Sequence, residues 1–214
     1  MTLIIPPPSF FKYDLYFDTV FFVVSLILCL FSFKLYRKTK LESILIFSIA
    51  FFSIWIGYLL EVIYDLFMHF EYTNGLINLY QVMPYFFLII GHSVLLYVSL
   101  KISKIRTLVL INLISLIMIL FSDNKQFTYL ILSALCYIFI CWYFLENYID
   151  KKGMNSFIIM LSFFCFLFSH IIFLLSLKYE ALFPLGYILK FIAYMLIIIN
   201  LYMVQKSGKT KKPS

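Results

Sequence analysis

The chain has 214 residues, a formal charge of +7, and a composition that is 64% hydrophobic, 21% aromatic and only 13% charged. Soluble domains carry roughly 45–50% apolar and 25% charged residues, so a soluble enzyme is excluded and the chain reads as an integral membrane protein. Once its hydrophobic runs are assigned to helices of about 20 residues each, no length remains for a separate catalytic domain.

The first stretch, MTLIIPPPSFFKYDLYFD, has no basic segment followed by an apolar one, and its three consecutive prolines disfavour a helix. No cleavable signal is expected, and residues 1–18 read as an extracytoplasmic N-terminal segment. Apolar runs bounded by charges then give seven expected spans, at 19–36, 43–66, 77–100, 105–121, 127–145, 154–177 and 182–204. They are too long for strands and lack period-two alternation, so helices are the remaining way to satisfy the backbone in hydrocarbon. The expected fold is an all-α seven-transmembrane-helix bundle over 19–204, without a domain linker, followed by a basic cytoplasmic tail at 205–214.

Basic residues set the expected orientation, because short basic loops stay cytoplasmic. Lys34, Arg37, Lys38 and Lys40 follow the first span; Lys101, Lys104 and Arg106 the third; Lys151 and Lys152 the fifth; Lys206, Lys209, Lys211 and Lys212 the last. The opposite loops hold only Lys12, Lys125 and Lys178. The N-terminus is therefore expected outside and the C-terminus inside, in the cytoplasmic membrane. The positive charge then belongs to the inner face, where it meets anionic lipid or docks a partner protein, and a nucleic-acid partner is not expected. Aromatic clusters such as FFKYDLYF and CWYFLENY sit near span ends as interfacial anchors. The four cysteines, Cys29, Cys136, Cys141 and Cys165, lie in apolar runs without metal spacing and read as buried, inert thiols.

Ionisable residues inside the spans are the functional candidates. Lys190 stands in the last span, roughly 12 Å below its outer start; His170 and Glu61 lie roughly 10 and 8 Å below the outer ends of the sixth and second spans. Glu61, Asp65 and His69 follow an i, i+4, i+8 pattern along one face. The expected ligand- or proton-binding layer is therefore Glu61, Asp65, His170 and Lys190, with Lys190 facing the interior beside Glu61. Two other readings of Lys190 stand beside this one: pairing that only holds helices together, and snorkelling from a lipid-facing position. His92, roughly 22 Å below the outer start of the third span, reads as a packing element. The three histidines are thus expected at different depths, which leaves no shared metal site. Pro84 with Gly91, and Pro184 with Gly186, are candidate hinges in the third and seventh spans, about 100 residues apart. They invite a parallel repeat of three helices, a linker helix and three helices.

The last span, FPLGYILKFIAYMLIIINLYM, and the basic exit from the first, FKLYRKTKLES, resemble the seven-helix membrane-embedded input domains of prokaryotic sensor kinases. Gly186 and Lys190 match a Gly-x-x-x-Lys segment of that family, while Tyr187 stands where a histidine is common. The resemblance implies a sensor whose output comes from a separate partner. A microbial-type rhodopsin would need a carboxylate where Gly186 stands and an acid in the third span, so no retinal or other cofactor is expected. Transporters with a Pro-Gln motif share the helix count and sidedness, but no span contains that dipeptide. No HExxH, GxSxG or phosphate-binding glycine loop occurs. An intramembrane Cys or His nucleophile stays open as a reading, although Cys165 and His170, five residues apart, fall on different faces of the sixth span. The expected function is a non-enzymatic receptor or sensor; the alternatives are a small secondary transporter using the same layer, or a membrane scaffold subunit.

Overall fold

The computed structural model describes the backbone of residues 11–69, 77–101 and 104–209, and no strand occurs among them. The helices are α1 (Phe11–Thr39), α2 (Glu42–His69), α3 (Ile77–Ser99), α4 (Ile105–Leu120), α5 (Lys125–Lys151), α6 (Met154–Ser176) and α7 (Phe183–Lys209), the last entered through a short 3-10 turn at Glu180–Leu182. Six of them are long and apolar enough to cross a membrane, and α4 is shorter. At 1.5 Å per residue α4 spans about 24 Å, somewhat less than a hydrocarbon core of about 30 Å.

Local chemistry fixes the turns. The α1–α2, α3–α4 and α5–α6 turns each place a lysine in the left-handed region, Lys40 at φ 56°, Lys101 at φ 49° and Lys152 at φ 47°. The N–H of Lys40 donates to Tyr36 O at 2.7 Å, and that of Lys152 to Tyr148 O at 2.8 Å, which satisfies carbonyls at the helix ends. Asn124 caps α5 by accepting the N–H of Phe127 on its side-chain oxygen at 3.0 Å. Pro184 falls in the first turn of α7, where a missing N–H leaves no helical bond unmade. Pro84, by contrast, sits inside α3, which continues through it.

Both terminal helices exceed the expected limits. α1 begins at Phe11 rather than at residue 19, and α7 runs to Lys209. The acids that end the apolar run of α1 do not end the helix, because Asp14 and Asp18 turn inward and are almost fully buried.

Short turns make successive helices antiparallel, and among the described residues the contacts close a ring. α1 packs on α2, α2 on α3, α3 on α5, α5 on α6, α6 on α7, and α7 returns to α1; α4 lies outside and touches α3 and α5. Close approaches at glycines tighten it. A Cβ on Gly91 would lie 2.3 Å from Ile54 Cγ1 and 2.9 Å from the Ala50 carbonyl, so α2 and α3 meet there almost backbone to backbone. A Cβ on Gly186 would lie 2.7 Å from Phe173 Cε1, which brings α6 onto α7.

Serines add interhelical hydrogen bonds to carbonyls: Ser48 Oγ to Cys29 O at 3.0 Å, Ser53 Oγ to Phe87 O at 2.8 Å, and Ser169 Oγ to Gly186 O at 2.8 Å. In an apolar medium such bonds hold helices together where the hydrophobic effect cannot. The ring is filled with aromatic side chains, with Phe21, Tyr58, Tyr137, Phe163, Phe166 and Tyr194 essentially inaccessible. All four cysteines are free; Cys29, Cys136 and Cys141 are buried and Cys165 half-buried.

Candidate functional site: a buried lysine among carboxylates and rings

Helix spacing brings the acids together. Asp14 and Asp18 on α1, and Glu61 and Asp65 on α2, are both i, i+4 pairs, so each pair lines one face. The helices are antiparallel, which sets Asp14 level with Asp65, about 5 to 6 Å along from the helix ends, and Asp18 level with Glu61 and Lys190, about 10 to 12 Å along. Carboxylate oxygens of Asp14, Asp18 and Asp65 lie within 4.8 Å of one another. Asp14 is 9% exposed and Asp18 7%, while Glu61 and Asp65 are half-buried.

Lys190 lies at the centre of this layer and is 8% exposed. Its Nζ sits 4.7 Å from the centroid of Phe21, 4.8 Å from Tyr58 and 5.7 Å from Phe173. The carboxylates that act on it are, in descending order, Glu61, Asp18 and Asp14. The snorkelling reading is thereby overturned, since the amine points into rings contributed by α1, α2 and α6 and not toward the perimeter. Tyr187, one turn earlier, donates its hydroxyl hydrogen bond to Asp14 Oδ1 and stacks on Phe17 at 4.2 Å. Below the lysine, Tyr194 Oη donates to Tyr58 Oη at 3.5 Å.

Among the described residues one ammonium faces four carboxylates and does not neutralise them, and like charges held a few ångströms apart in low dielectric cannot all be ionised. The surplus is balanced by protons or by a bound cation. Asp18 and Asp65 face each other within this cluster, an approach that two carboxyl groups tolerate in low dielectric when a proton or a cation is shared between them. Asp65 Oδ2 is buried without a hydrogen-bond partner. The layer therefore has the chemistry to take up and release positive charge.

His170 does not join the acids. It belongs to a second polar cluster between α3, α5 and α6, 1% exposed, with Nδ1–H donating to Phe166 O at 2.8 Å, which leaves Nε2 as the lone-pair nitrogen of the neutral ring. The ring centroids of His92 and His170 are 5.8 Å apart, Tyr137 lies 4.9 and 5.0 Å from the two, and Ser133 Oγ is 3.0 Å from His92 Nδ1. Tyr129 Oη is buried there without a hydrogen-bond partner, although Ser133 is close by. The expectation that the histidines lie at different depths is thus corrected for His92 and His170. A residue count taken along each helix separately does not give a common depth, and the ring contact puts His92 and His170 in one layer. The His69 side chain lies outside the described residues. Among the described residues the metal-type donors that gather are the aspartates Asp14, Asp18 and Asp65.

Of the expected site residues, Glu61, Asp65 and Lys190 are brought together and His170 stands in the neighbouring cluster, still within electrostatic reach of Lys190. Asp14, Asp18 and Tyr187 were missed. The signal was present, since Asp14 and Asp18 repeat the i, i+4 spacing of Glu61 and Asp65 at the same distance from the same end. Gly91 and Gly186, expected as hinges with Pro84 and Pro184, act here as points of close helix contact.

No protein-family model matches the chain, no curated protein is significantly similar to it, and no solved structure matches its fold.

Proposed function

We propose that the chain is a non-enzymatic seven-helix receptor or sensor, oriented with its N-terminus outside, that binds a proton or a small ligand in the outer half of the bundle and signals through its basic inner loops to a partner protein. The observation that carries this reading is the buried Lys190 ammonium, held on α7 among Glu61, Asp18 and Asp14 from α1 and α2. Intramembrane ionisable residues are costly and mark proton, ion and ligand sites, and a layer with surplus carboxylate changes its charge when it is loaded. Because it joins the two ends of the chain, a change there bears directly on how α7 sits against α1. The kinship to sensor-kinase input domains stays part of this proposal, through Gly186 and Lys190.

The test is hydrogen exchange on protein in lipid nanodiscs, read at the α1–α2 turn around Lys40 and the α5–α6 turn around Lys152 while pH is stepped. Protection at these turns is expected to change with pH in the wild type and to stay constant in Glu61→Gln. An unchanged wild type counts against the receptor.

A transporter is the second reading, favoured by one feature of the ring. The order α1–α2–α3–α5–α6–α7, with α4 outside, is unaltered when α1–α3 and α5–α7 are exchanged, as expected for two parallel three-helix repeats around a linker. Under that exchange the acid layer on α1, α2 and α7 corresponds to the histidine cluster on α5, α6 and α3. Sustained proton flux in proteoliposomes, abolished by Glu61→Gln and Lys190→Met, would replace the receptor with a carrier. If those substitutions change only stability and partner recovery, the chain is a scaffold subunit.

A further inference from the structure

The rings around Lys190 carry a narrower statement about ligand chemistry, one that rests on reading this layer as a binding site. Phe21 from α1, Tyr58 from α2 and Phe173 from α6 present their rings to a single amine that arrives from α7, at 4.7, 4.8 and 5.7 Å. Gly186 makes the third wall possible, because a Cβ there would lie 2.7 Å from Phe173 Cε1 and would push that ring away. Glu61, Asp18 and Asp14 act on the same amine through their charge. Ring faces attract a cation without directed hydrogen bonds and without water, which is why aromatic cages bind alkylated ammonium ions. The carboxylates supply the net charge, and among the described residues they are in excess over the one ammonium.

We propose that the cage of Phe21, Tyr58 and Phe173, backed by Asp18 and Glu61, is a binding site for a small organic ammonium ion, and that Lys190 is its built-in occupant, displaced when the ligand enters. The four-carbon stem of lysine is flexible enough to withdraw. The same carboxylates that hold Lys190 would then hold the ligand, so occupancy by one excludes the other. This gives the layer a way to report a ligand, because displacement frees α7 from the ring contacts it makes through Lys190.

Lys190→Ala deletes from the cage the equivalent of n-propylammonium, which is the probe. Thermal unfolding is followed on the full chain in nanodiscs. Lys190→Ala is expected to unfold at lower temperature than the wild type, and saturating n-propylammonium is expected to raise its midpoint by about 5 °C. Neutral n-propanol, of the same size, should do nothing. The rescue should be lost in Lys190→Ala/Phe21→Leu, and the wild type, whose cage is filled, should need at least about tenfold more probe for the same shift. Equal rescue by n-propanol, no rescue at all, or undiminished rescue without the Phe21 ring would each overturn the assignment. Where Lys190→Ala is too unstable to purify, the same comparisons are read as the yield of monodisperse protein extracted with either additive.

The outcome separates cleanly from the broader reading. If the pH response of the turns persists while the probe fails, the ammonium assignment falls alone. If the probe rescues and the turns stay silent, the ammonium site stands and the receptor falls.

Discussion

Tyr187 on α7 and Asp14 on α1 close the ring of helices, the phenol donating its hydrogen bond to a carboxylate 173 residues earlier in the chain. Each residue is almost fully buried. Removing the donor with Tyr187→Phe keeps the stacking on Phe17 and leaves the carboxylate short of one partner, a change worth about 1–3 kcal/mol. Thermal unfolding in detergent should fall accordingly, and Asp14→Asn in the same chain should recover part of the loss, since an amide does not carry the charge. Additive losses in the double variant would mean that the two residues do not act as a pair.

Much of this arrangement could be read from the sequence, and the misses have physical causes. Hydrocarbon thickness demands long apolar runs, so the positions of all seven helices are visible as hydropathy; the six long ones and the shorter Ile105–Leu120 fall where those runs lie. Lys190 stands out for the same reason, as the charge such a run should not contain. Asp14 and Asp18 do not stand out, because acids at the end of an apolar run look like interfacial residues until a helix is found to continue past them. The meeting of His92 with His170 depends on which helices are neighbours in the ring, and no one-dimensional pattern encodes that α3 packs on α5 while α4 lies outside. The Phe21–Tyr58–Phe173 cage was hidden by composition, since in a chain with 26 phenylalanines and 17 tyrosines no single ring is conspicuous.

Lys190→Met tests the balance of charge in the layer. Methionine keeps the apolar stem and removes the ammonium that, among the described residues, faces Glu61, Asp18 and Asp14. Deleting one partner of a buried ionic group costs about 3–5 kcal/mol, because the remaining charges lose their compensation. Glu61→Gln leaves Asp14 and Asp18 to hold the lysine and should cost less. The double variant should be more stable than the sum of the single effects predicts, by an interaction term of about 1–3 kcal/mol. Strict additivity, measured by thermal unfolding, would show that Lys190 and Glu61 are not coupled.

The glycine contacts make a sharper comparison, because three substitutions of the same chemistry meet different surroundings. Gly91→Ala drives a methyl against Ile54 and against the backbone carbonyl of Ala50, which cannot move without displacing α2. Gly186→Ala meets the Phe173 ring alone, and Gly153→Ala meets nothing nearer than 3.9 Å. Overpacking costs about 1–3 kcal/mol where the neighbour cannot yield. The expected order of lost stability is therefore Gly91, then Gly186, with Gly153 near neutral. Gly186→Ala should in addition weaken the grip on Lys190, read as a smaller penalty for Lys190→Met in that background.

Lys40, Lys101 and Lys152 occupy left-handed backbone at three turns that lie at the same end of the bundle. For a residue with a Cβ that conformation costs roughly 1–2 kcal/mol, while glycine adopts it freely but loses more entropy on folding. Replacing each lysine by glycine should therefore stabilise the protein slightly, by about 0.5–1 kcal/mol per site in neutral detergent. Each lysine also follows closely on the C-terminal end of a helix, where a positive charge is favoured by about 0.3–1 kcal/mol that salt screens. Salt weakens that attraction in the lysine form alone, so the gain from glycine should be smallest at low ionic strength and grow as salt is added. Thermal unfolding of the triple variant at two salt concentrations checks both signs. A loss of stability at high salt would mean that the lysine side chains make contacts at the turns that outweigh the backbone strain.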